Sequence, residues 1–410
     1  MTDRLRELLA AILPANRFYT AKFAGLNPAT ADLCDLPFTT KAELLADRQA
    51  HPPYGSGLTY PLSRYTRMHQ TSGTNSGQPL RWLDTPESWD WMLGCWRKIF
   101  ALIGLRQHDR LFFAFSFGPF LGFWTAFESA SRAGYWVLPG GGMSSSARLR
   151  FLLDHTATVV FCTPTYALHL AEVAAKDGLD LGSSPVRMLV VAGEPGGHIP
   201  ATRERIENLW GARVIDHSGL TEVGPVAVEC FDRPGGLSIL DGDYIAEAIE
   251  IGEVGASATG GSETGGSGIG ELVLTNLGRV GSPLIRYRTG DLVKLTSDRA
   301  GARWLEGGIL GRVDDMIHLR GNNVYPSAIE SVVRRFPDVA EFRIVVDRSG
   351  AMTNLRIEIE CVPNAAESVL VEGIAKALKD ELLFRADVVR VPPGALPRFE
   401  MKAQRIVFRG

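Results

Sequence analysis

Short apolar segments alternate with helix-like segments between residues 110 and 216. The strand-like segments are 110–117, 134–139, 158–164, 186–192 and 213–216, and the helix-like segments lie near 121–133, 147–156, 165–176 and 199–210. Single helices between buried strands imply right-handed crossovers and a mostly parallel sheet. Ligands of such sheets lie beyond the carboxyl ends of the strands, so the residues after each strand are the candidates for chemistry.

Two further regions complete the outline of the chain. Residues 86–105 place six apolar side chains on one helical face, which predicts core packing, and Asp84 or Thr85 could cap this helix. The six are Trp89, Met92, Leu93, Trp96, Phe100 and Ile103. After about residue 310 the pattern changes to a helix at 326–336, strands at 341–347 and 354–361, a helix at 365–384 and a final short strand, which predicts a small α+β unit.

The Gly- and Ser-rich segment 252–268 favours a flexible hairpin tip. Its GSGIG sequence is followed by the strand-like GELVLTN, whereas a dinucleotide-binding loop follows a strand and opens a helix.

Composition excludes several classes of function. The 410 residues carry a net charge of −3, which suggests neither a nucleic-acid nor a membrane partner, and we expect a cytoplasmic protein. The five cysteines form no C-x-x-C pair, which argues for a reducing compartment and against a local zinc site. The N-terminus lacks the apolar run of a secretion signal, and no stretch approaches 18 uninterrupted apolar residues.

Residues 71–79, TSGTNSGQP, have the composition of a loop that wraps a phosphate. Gly73 and Gly77 let the backbone approach an anion, and hydroxyl and amide side chains surround them. The segment does not match the P-loop of NTPases, because Gln78 stands where a lysine is expected. Taken alone, it fits a phosphate loop and a plain surface turn equally well.

Four other positions are less informative by themselves. Thr221 and Glu222 could bind a phosphate and Mg²⁺, or simply be exposed. Asp291 follows a Thr-Gly turn and could bind ribose hydroxyls or stabilise the turn, and Lys402 alone is typical of a solvated surface charge.

The order of these motifs is far more specific than any one of them. TSGT…SGQP, AGEP, SGLTE, YRTGD, GRVDD and PRFEMKAQR follow one another at spacings that strongly resemble the adenylate-forming superfamily of acyl-CoA synthetases, adenylation domains and luciferases. NRFYTAKFAGL (16–26), LPFTTKAEL (36–44) and CTPTYALHLAEVA (162–174) resemble the phenylacetate–CoA ligase family within it. The resemblance extends from about residue 16 to 408.

The resemblance implies an α/β fold with two domains. A large N-terminal domain, 1–311, would hold mostly parallel sheets flanked by helices plus a β-rich subdomain. A small mobile C-terminal α+β domain, 312–410, would rotate about a hinge near Asp314 between two half-reactions, and Gly321 would then border the pantetheine tunnel.

The resemblance also implies an activity. A carboxylic acid would react with ATP and Mg²⁺ to give acyl-AMP and pyrophosphate, and the thiol of coenzyme A would then displace AMP. Two alternatives stay open: transfer to a carrier-protein phosphopantetheine or an amine, and a non-catalytic AMP- or acyl-binding relative. A homodimer is the habit of the family, and no zinc is expected because only Cys230 is available near the position of the zinc cluster of some members.

Site residues are carried over from the family motifs position by position. The phosphate loop is Thr71, Ser72, Gly73, Thr74, Asn75, Ser76 and Gly77. The adenine and AMP pocket is Glu194, Pro195, Gly196, Asp216, His217, Ser218 and Gly219. Thr221 would bind the α-phosphate, Glu222 the Mg²⁺ and Asp291 the ribose, with help from Arg312. Lys402 would bridge the attacking carboxylate and the α-phosphate and offset the charge that develops there.

Aromatic side chains point to an aromatic acid as substrate. Phe115, Phe117 and Phe120, with Tyr166, His217 and Gly219, are the predicted acyl pocket, although each phenylalanine also fits ordinary core packing. The chain departs from the family pattern at Ser218, where many relatives carry a tyrosine that stacks on adenine. It departs again at Gln78, which removes one positive charge.

We predict that Lys402→Ala abolishes acid-dependent ATP–pyrophosphate exchange, because the charge that offsets the transition state is lost, while ATP binding is largely kept. Exchange assays and equilibrium ATP titration of the variant check this, and wild-type exchange rates would overturn the assignment of Lys402.

Overall fold

The computed structural model describes residues 3–27, 30–71, 79–250, 268–297, 301–319, 322–348, 354–363, 365–399 and 403–409. The helices are α1 (Asp3–Ile12), α2 (Arg17–Lys22), α3 (Lys41–Ala50), α4 (Pro86–Leu102), α5 (Trp124–Arg132), α6 (Ser145–Asp154), α7 (Pro164–Lys176), α8 (Pro200–Trp210), α9 (Pro326–Val333) and α10 (Glu367–Leu382). No helix in these ranges is long and apolar enough to cross a membrane.

The strands fall in the same ranges. They are β1 (Arg67–Gln70), β2 (Arg81–Asp84), β3 (Arg110–Phe113), β4 (Trp136–Pro139), β5 (Val159–Cys162), β6 (Met188–Ala192), β7 (Arg213–Leu220), β8 (Gly224–Cys230), β9 (Arg233–Ile239), β10 (Tyr244–Ile249), β11 (Ile269–Asn276), β12 (Tyr287–Ser297), β13 (Arg303–Arg312), β14 (Ile317–Leu319), β15 (Asn322–Val324), β16 (Val339–Asp347), β17 (Asn354–Cys361), β18 (Asp387–Val391) and β19 (Ile406–Arg409). The predicted strand at GELVLTN is confirmed as β11, and residues 252–267 of the predicted hairpin tip lie outside the described ranges.

The chain divides into two compact units. The first unit consists of Met1–Gly142, Ala157–Phe161 and Ile215–Ile309, and the second consists of Met143–Thr156, Cys162–Val214 and Leu310–Gly410.

The first unit contains both parallel and antiparallel strands. β3 pairs in parallel with β4 and with β5, which confirms the predicted crossovers in this part of the chain. From β7 onward the pairs β7–β8, β8–β9, β9–β13, β10–β11 and β11–β12 are antiparallel. The predicted α/β class with a β-rich part is therefore confirmed as a mixed sheet.

Helix α4 shows how the sequence positions an element of the first unit. Thr85 accepts a hydrogen bond from the backbone N–H of Ser88 and caps the helix, and Pro86 occupies its first position. Trp89 and Trp96 are 1% exposed, and the indole N–H of Trp96 donates to Oγ1 of Thr125 at 2.8 Å. The predicted apolar stripe is confirmed as core.

The C-terminal part of the second unit is built on a four-stranded sheet in the order β18-β17-β16-β19. β16 and β17 are antiparallel, whereas β17–β18 and β16–β19 are parallel. Two strands follow α10, whereas the sequence predicted one. The strand that was not predicted is β18, which is short and has only one buried side chain. α9 and α10 contribute Ile329, Val333, Ile374 and Leu378 to the core of this sheet.

A buried ion cluster joins the end of the chain to this sheet. The guanidinium of Arg405 donates to both carboxylate oxygens of Glu341, through Nε at 2.8 Å and Nη2 at 3.1 Å, and also to Oγ1 of Thr165 at 3.1 Å. Burial favours a raised pKa for Glu341, but the charges of Arg405 and Arg334 outweigh it and lower the pKa from 4.5 to about 2.

We predict that the free energy of unfolding falls between pH 4.5 and pH 2 through protonation of Glu341. The folded-state pKa is below the unfolded one, so the stabilisation is present above pH 4.5 and is lost as the pH falls, on the order of 3 kcal/mol. Urea unfolding at a series of pH values should show a smaller acid loss in Glu341→Gln. Glu381→Gln, whose ion pair with Arg335 is half-exposed on both sides, is the control and should keep the wild-type pH dependence.

Candidate active site

Arg279 organises the polar groups of the first unit. Its guanidinium is fully buried, and Nε and Nη2 donate to the two carboxylate oxygens of Asp84 at 2.6 and 2.7 Å. Nη1 donates to the carbonyl oxygens of Thr221 and Glu222 at 2.8 and 2.9 Å. Asp84 ends β2, and residues 221–222 form the turn between β7 and β8, so one side chain fixes this turn to β2.

The carboxylate of Glu222 is buried next to the half-buried Thr221. The hydroxyl of Tyr287 donates to Oε1 of Glu222 at 3.1 Å, and within the described chain the other carboxylate oxygen has no hydrogen bond. No group of three or more His, Cys, Asp and Glu side chains in the described ranges could hold a metal ion. A single carboxylate with a free oxygen fits Mg²⁺, which takes one or two carboxylates and completes its shell with phosphates and waters.

Asp291 lies inside β12, where the pairing with β11 is interrupted by a bulge. Gly290 has φ +77°, which glycine adopts without strain, and its N–H donates to Oε1 of Glu271 at 3.2 Å. The hydroxyl of Thr289 donates to the carbonyl oxygen of Leu272 and accepts from the N–H of Asp291. The predicted Thr-Gly turn is therefore a bulge within a continuous strand, and these hydrogen bonds hold the backbone of Asp291 in place.

Residues 216–219 belong to β7, where a bulge lies between Ser218 and Gly219. The N–H of Asp216 donates to Oε2 of Glu229 at 3.2 Å. A Cβ atom at position 219 would lie 2.9 Å from the carbonyl oxygen of Gly224 and 3.4 Å from Nε2 of His217. Glycine at 219 therefore leaves the edge of the His217 ring uncovered.

His217 is a neutral hydrogen-bond acceptor. Its Nδ1 lies 2.9 Å from the carbonyl oxygen of Ala227, so Nδ1 carries the hydrogen and Nε2 presents a lone pair. Burial lowers the pKa of His217 to about 4, against the smaller effect of the Ala227 hydrogen bond. Its ring lies 4.6 Å from that of Trp96.

Aromatic rings continue from Trp96 through the first unit. Trp96 contacts Phe123 and Phe161 with ring centroids 6.1 and 6.3 Å apart, and Phe115 lies 5.4 Å from Phe123 and 4.6 Å from Phe117. Phe115 is nearly buried, while Phe117 and Phe120 are half-buried. These residues, with His217, are called the aromatic cluster below.

Glu194, in the second unit, binds backbone rather than side chains. Its carboxylate accepts from the N–H of Thr165, the second residue of α7, at 2.8 Å and from the N–H of Ala403 at 2.5 Å. Next to it, Gly196 has φ +147°, and a Cβ atom there would lie 2.5 Å from Cβ of Pro164. The segment 194–196 is thereby held against the start of α7.

Tyr166 and the 312–314 segment also belong to the second unit. The buried hydroxyl of Tyr166 accepts from Nη1 of Arg148 at 2.6 Å and lies 3.0 Å from Oγ of Ser145. Arg312 ends β13 and lies 4.0 Å from the exposed carboxylate of Asp314. The roles predicted for these residues in an acyl pocket, at the ribose and at a hinge stay predictions.

Several predicted site residues lie outside the described ranges. They are Ser72, Gly73, Thr74, Asn75, Ser76, Gly77, Gly321 and Lys402. Thr71 is described: its N–H donates to the carbonyl oxygen of Leu80 at 2.9 Å, and its hydroxyl accepts from the N–H of Leu80 at 2.9 Å.

The roles of Arg279 and Tyr287 are not visible in the sequence alone. Arg279 stands in NLGRVGSP, where an arginine is typical of an exposed loop, and its partner Asp84 was considered only as a helix cap. Tyr287 belongs to the YRTGD motif, so its position four residues before Asp291, the predicted ribose ligand, was the one available signal. Contacts across 195 and 65 residues leave no local pattern.

Comparisons with known proteins identify the class. Residues 321–409 match the AMP-binding enzyme C-terminal domain. The chain is 30% identical to phenylacetate–coenzyme A ligase of Thermus thermophilus, over 97% of this chain and 93% of the relative, and 29% identical to that of Pseudomonas putida, over 98% and 91%. The structure superposes with a TM-score of 0.90 on 2-hydroxyisobutyryl-CoA ligase bound to 2-HIB-AMP, at 27% identity over 99% of this chain and 88% of that one.

The fold is that of the adenylate-forming acyl-CoA ligases. The chain belongs to the phenylacetate–CoA ligase family. It is an AMP-forming acid–thiol ligase, which activates a carboxylic acid with ATP to acyl-AMP and then forms the thioester of coenzyme A. The family resemblance inferred from the order of the motifs is confirmed.

We predict that Arg279→Met lowers the free energy of unfolding by about 3–5 kcal/mol, because it leaves the Asp84 carboxylate buried and unpaired. Denaturant unfolding measures this loss. Arg64→Met, which removes an exposed ion pair with Glu87, should cost less than about 1 kcal/mol.

The double variant Arg279→Met/Asp84→Leu separates stability from positioning. Replacing both charges should restore most of the stability. Acid-dependent pyrophosphate exchange should be low in both the single and the double variant, since the carbonyl oxygens of Thr221 and Glu222 lack their donor in each. Full exchange activity in the stable double variant would contradict the positioning role of Arg279.

Proposed function

We propose that the acid substrate is aromatic, of the benzoate, anthranilate or phenylacetate type. The observation that carries the proposal is the aromatic cluster, whose rings run from Phe117 to His217. Flat rings pack favourably in edge-to-face and offset geometries against a flat substrate. The likeness to phenylacetate–CoA ligases, at about 30% identity, supports the same substrate class.

His217 narrows this class. Because Nε2 only accepts hydrogen bonds, it favours an acid that carries a hydroxyl or amino hydrogen near the ring. It cannot form a hydrogen bond with a substrate that carries only acceptors. A short 2-hydroxy acid is the second candidate. It is favoured by the same acceptor and by the likeness to 2-hydroxyisobutyryl-CoA ligase.

The nucleotide residues are assigned by their place in the family motifs. Residues 71–77 bind the β- and γ-phosphates, the Thr221 hydroxyl binds the α-phosphate and the Asp291 carboxylate binds the ribose hydroxyls. Arg312 assists at the ribose. Glu194, Pro195, Gly196, Asp216, Ser218 and Gly219 border the adenine, where Ser218 cannot stack as a tyrosine would. The rigid turn at Thr221 and Glu222 supports this assignment.

Glu222 is the residue that would hold magnesium, and the phosphates of ATP would supply further ligands. The ion, when bound, neutralises phosphate charge and so favours departure of pyrophosphate. The chain's own contribution is to present one buried carboxylate, oriented by the Tyr287 hydroxyl and by the Arg279-bound backbone.

The reaction has two displacement steps. A carboxylate oxygen of the acid attacks the α-phosphorus of ATP, and pyrophosphate leaves with the electron pair of the broken P–O bond. The thiolate sulfur of coenzyme A then attacks the acyl carbon, and AMP leaves. Lys402 bridges carboxylate and α-phosphate in the first step, and the region after the Asp314 hinge, including Gly321, borders the pantetheine in the second.

The proposal also covers the domains, the thiol acceptor, the oligomeric state and the cellular location. Residues 1–311 and 312–410 act as the two functional domains. A carrier-protein phosphopantetheine is an alternative thiol to free coenzyme A, and a homodimer and a cytoplasmic location follow from family habit and composition.

We predict that aromatic acids with an amino or hydroxyl substituent give the highest kcat/KM in a pyrophosphate-release screen that also contains benzoate, phenylacetate and 2-hydroxyisobutyrate. His217→Leu should lower kcat/KM for the substituted acid about tenfold, because a charge-neutral hydrogen bond is lost. It should change kcat/KM for the unsubstituted acid little.

The wild-type preference should be flat above pH 5, since His217 titrates near pH 4. An equal loss on both acids in His217→Leu would show that this ring shapes the pocket without reading the substituent.

A further inference from the structure

The predicted phosphate loop carries no cation of its own. Residues 71–79 contain neither lysine nor arginine. Pyrophosphate leaves with several negative charges, and electrostatic stabilisation of that charge is a large part of catalysis in phosphoryl and nucleotidyl transfer. A positive group from elsewhere in the chain is therefore expected near Thr221 and Glu222.

Arg48, on α3, has an unsatisfied guanidinium. Its Cζ atom lies 5.2 Å from the centre of the Trp82 ring, and its Nη1 atom is buried and has no hydrogen-bond partner in the described part of the chain. The neighbouring carboxylate does not fill this role, because Asp47 accepts from the N–H and the hydroxyl of Ser56 and lies 3.1 Å from Nδ1 of His51. A buried N–H without an acceptor is costly, which indicates that an acceptor from outside the chain completes the site.

Arg48 lies close to the Thr221–Glu222 turn. The guanidinium of Arg279, which binds the carbonyl oxygens of that turn, is 5.7 Å from the same Trp82 ring. The charge of Glu222 also acts on Arg48 directly. Two arginines therefore border Trp82. The guanidinium of Arg279 has four hydrogen-bond acceptors, whereas Nη1 of Arg48 has none in the described part of the chain.

Arg48 is a cation at neutral pH. Burial lowers the pKa of its guanidinium to about 10, and the charges of Asp47 and Glu222 act in the opposite direction. A cation–π contact with an indole suits this arrangement, since a guanidinium is weakly hydrated and its N–H groups can still donate to an oxyanion.

We propose that Arg48 binds the pyrophosphate part of ATP and supplies the positive charge that the 71–79 segment lacks. The inference rests on the proposed phosphate site at Thr221 and Glu222. In the first step the P–O bond between the α-phosphorus and the pyrophosphate breaks, and Arg48 donates hydrogen bonds to the oxygens that gain charge. The second step involves no pyrophosphate, so Arg48 has no part in it.

The test compares the two half-reactions in Arg48→Ala and in Arg48→Met, which keeps an unbranched stem over Trp82. Both variants should raise the KM for ATP and for pyrophosphate in acid-dependent exchange about tenfold to a hundredfold, as expected for a charge-assisted hydrogen bond. Conversion of supplied acyl-adenylate and coenzyme A to thioester should stay within about twofold of wild type. Arg48→Lys should recover part of the pyrophosphate affinity.

Matched variants make each outcome decisive. Gln49→Ala, exposed on the same helix, should behave as wild type in both assays. A KM for pyrophosphate in Arg48→Met within about twofold of wild type, or equal losses in both half-reactions, would overturn the role of Arg48. Wild-type exchange in Glu222→Gln would instead overturn the proposed phosphate site, so the two failures are distinguishable.

Discussion

The buried pair of Arg279 and Asp84 is the interaction on which the polar side of the first unit depends. Desolvating a guanidinium and a carboxylate costs several kcal/mol per ion, and only close geometry with further hydrogen bonds offsets it. Two of the four acceptors of Arg279 are the carbonyl oxygens of Thr221 and Glu222. The ion pair is therefore fully satisfied only when this turn is formed, which couples the stability of β2 to the geometry of the turn.

In the second unit, too, a buried ion pair also forms a hydrogen bond to a distant segment of the chain. Arg405 is buried against Glu341 and also donates to Thr165, while Glu194 accepts from the backbone of Thr165 and Ala403. The start of α7 thus contacts both the segment after β6 and the residues at 403–405. Glu194 in the family motif at 194–196 therefore has a structural role, which is to bind the backbone of Thr165 and Ala403. This role does not depend on any contact with adenine.

The sequence predicted most of the fold because its signals are local. Strand and helix periodicity between 110 and 216, the Thr85 cap and the α4 stripe all depend on neighbouring residues, and each is present. β18 was not distinguished from the final strand, since a strand of five residues with a single buried side chain carries little periodicity. The motif residues were found through their order along the chain. Arg279, Tyr287 and Arg48 were not, because their roles arise from contacts between distant segments.

The departures at Gln78 and Ser218 remove one cation and one ring from the expected site, yet the activity of the family needs charge at the phosphates whatever its source. A lysine in a glycine-rich loop is a mobile point charge that must be ordered with each turnover. An arginine held over Trp82 has already lost much of its side-chain freedom, so less entropy is lost when it binds an oxyanion. If Arg48 binds the pyrophosphate as proposed, a preorganised cation on α3 offers a physical reason why a chain of this family can tolerate glutamine in the predicted phosphate loop.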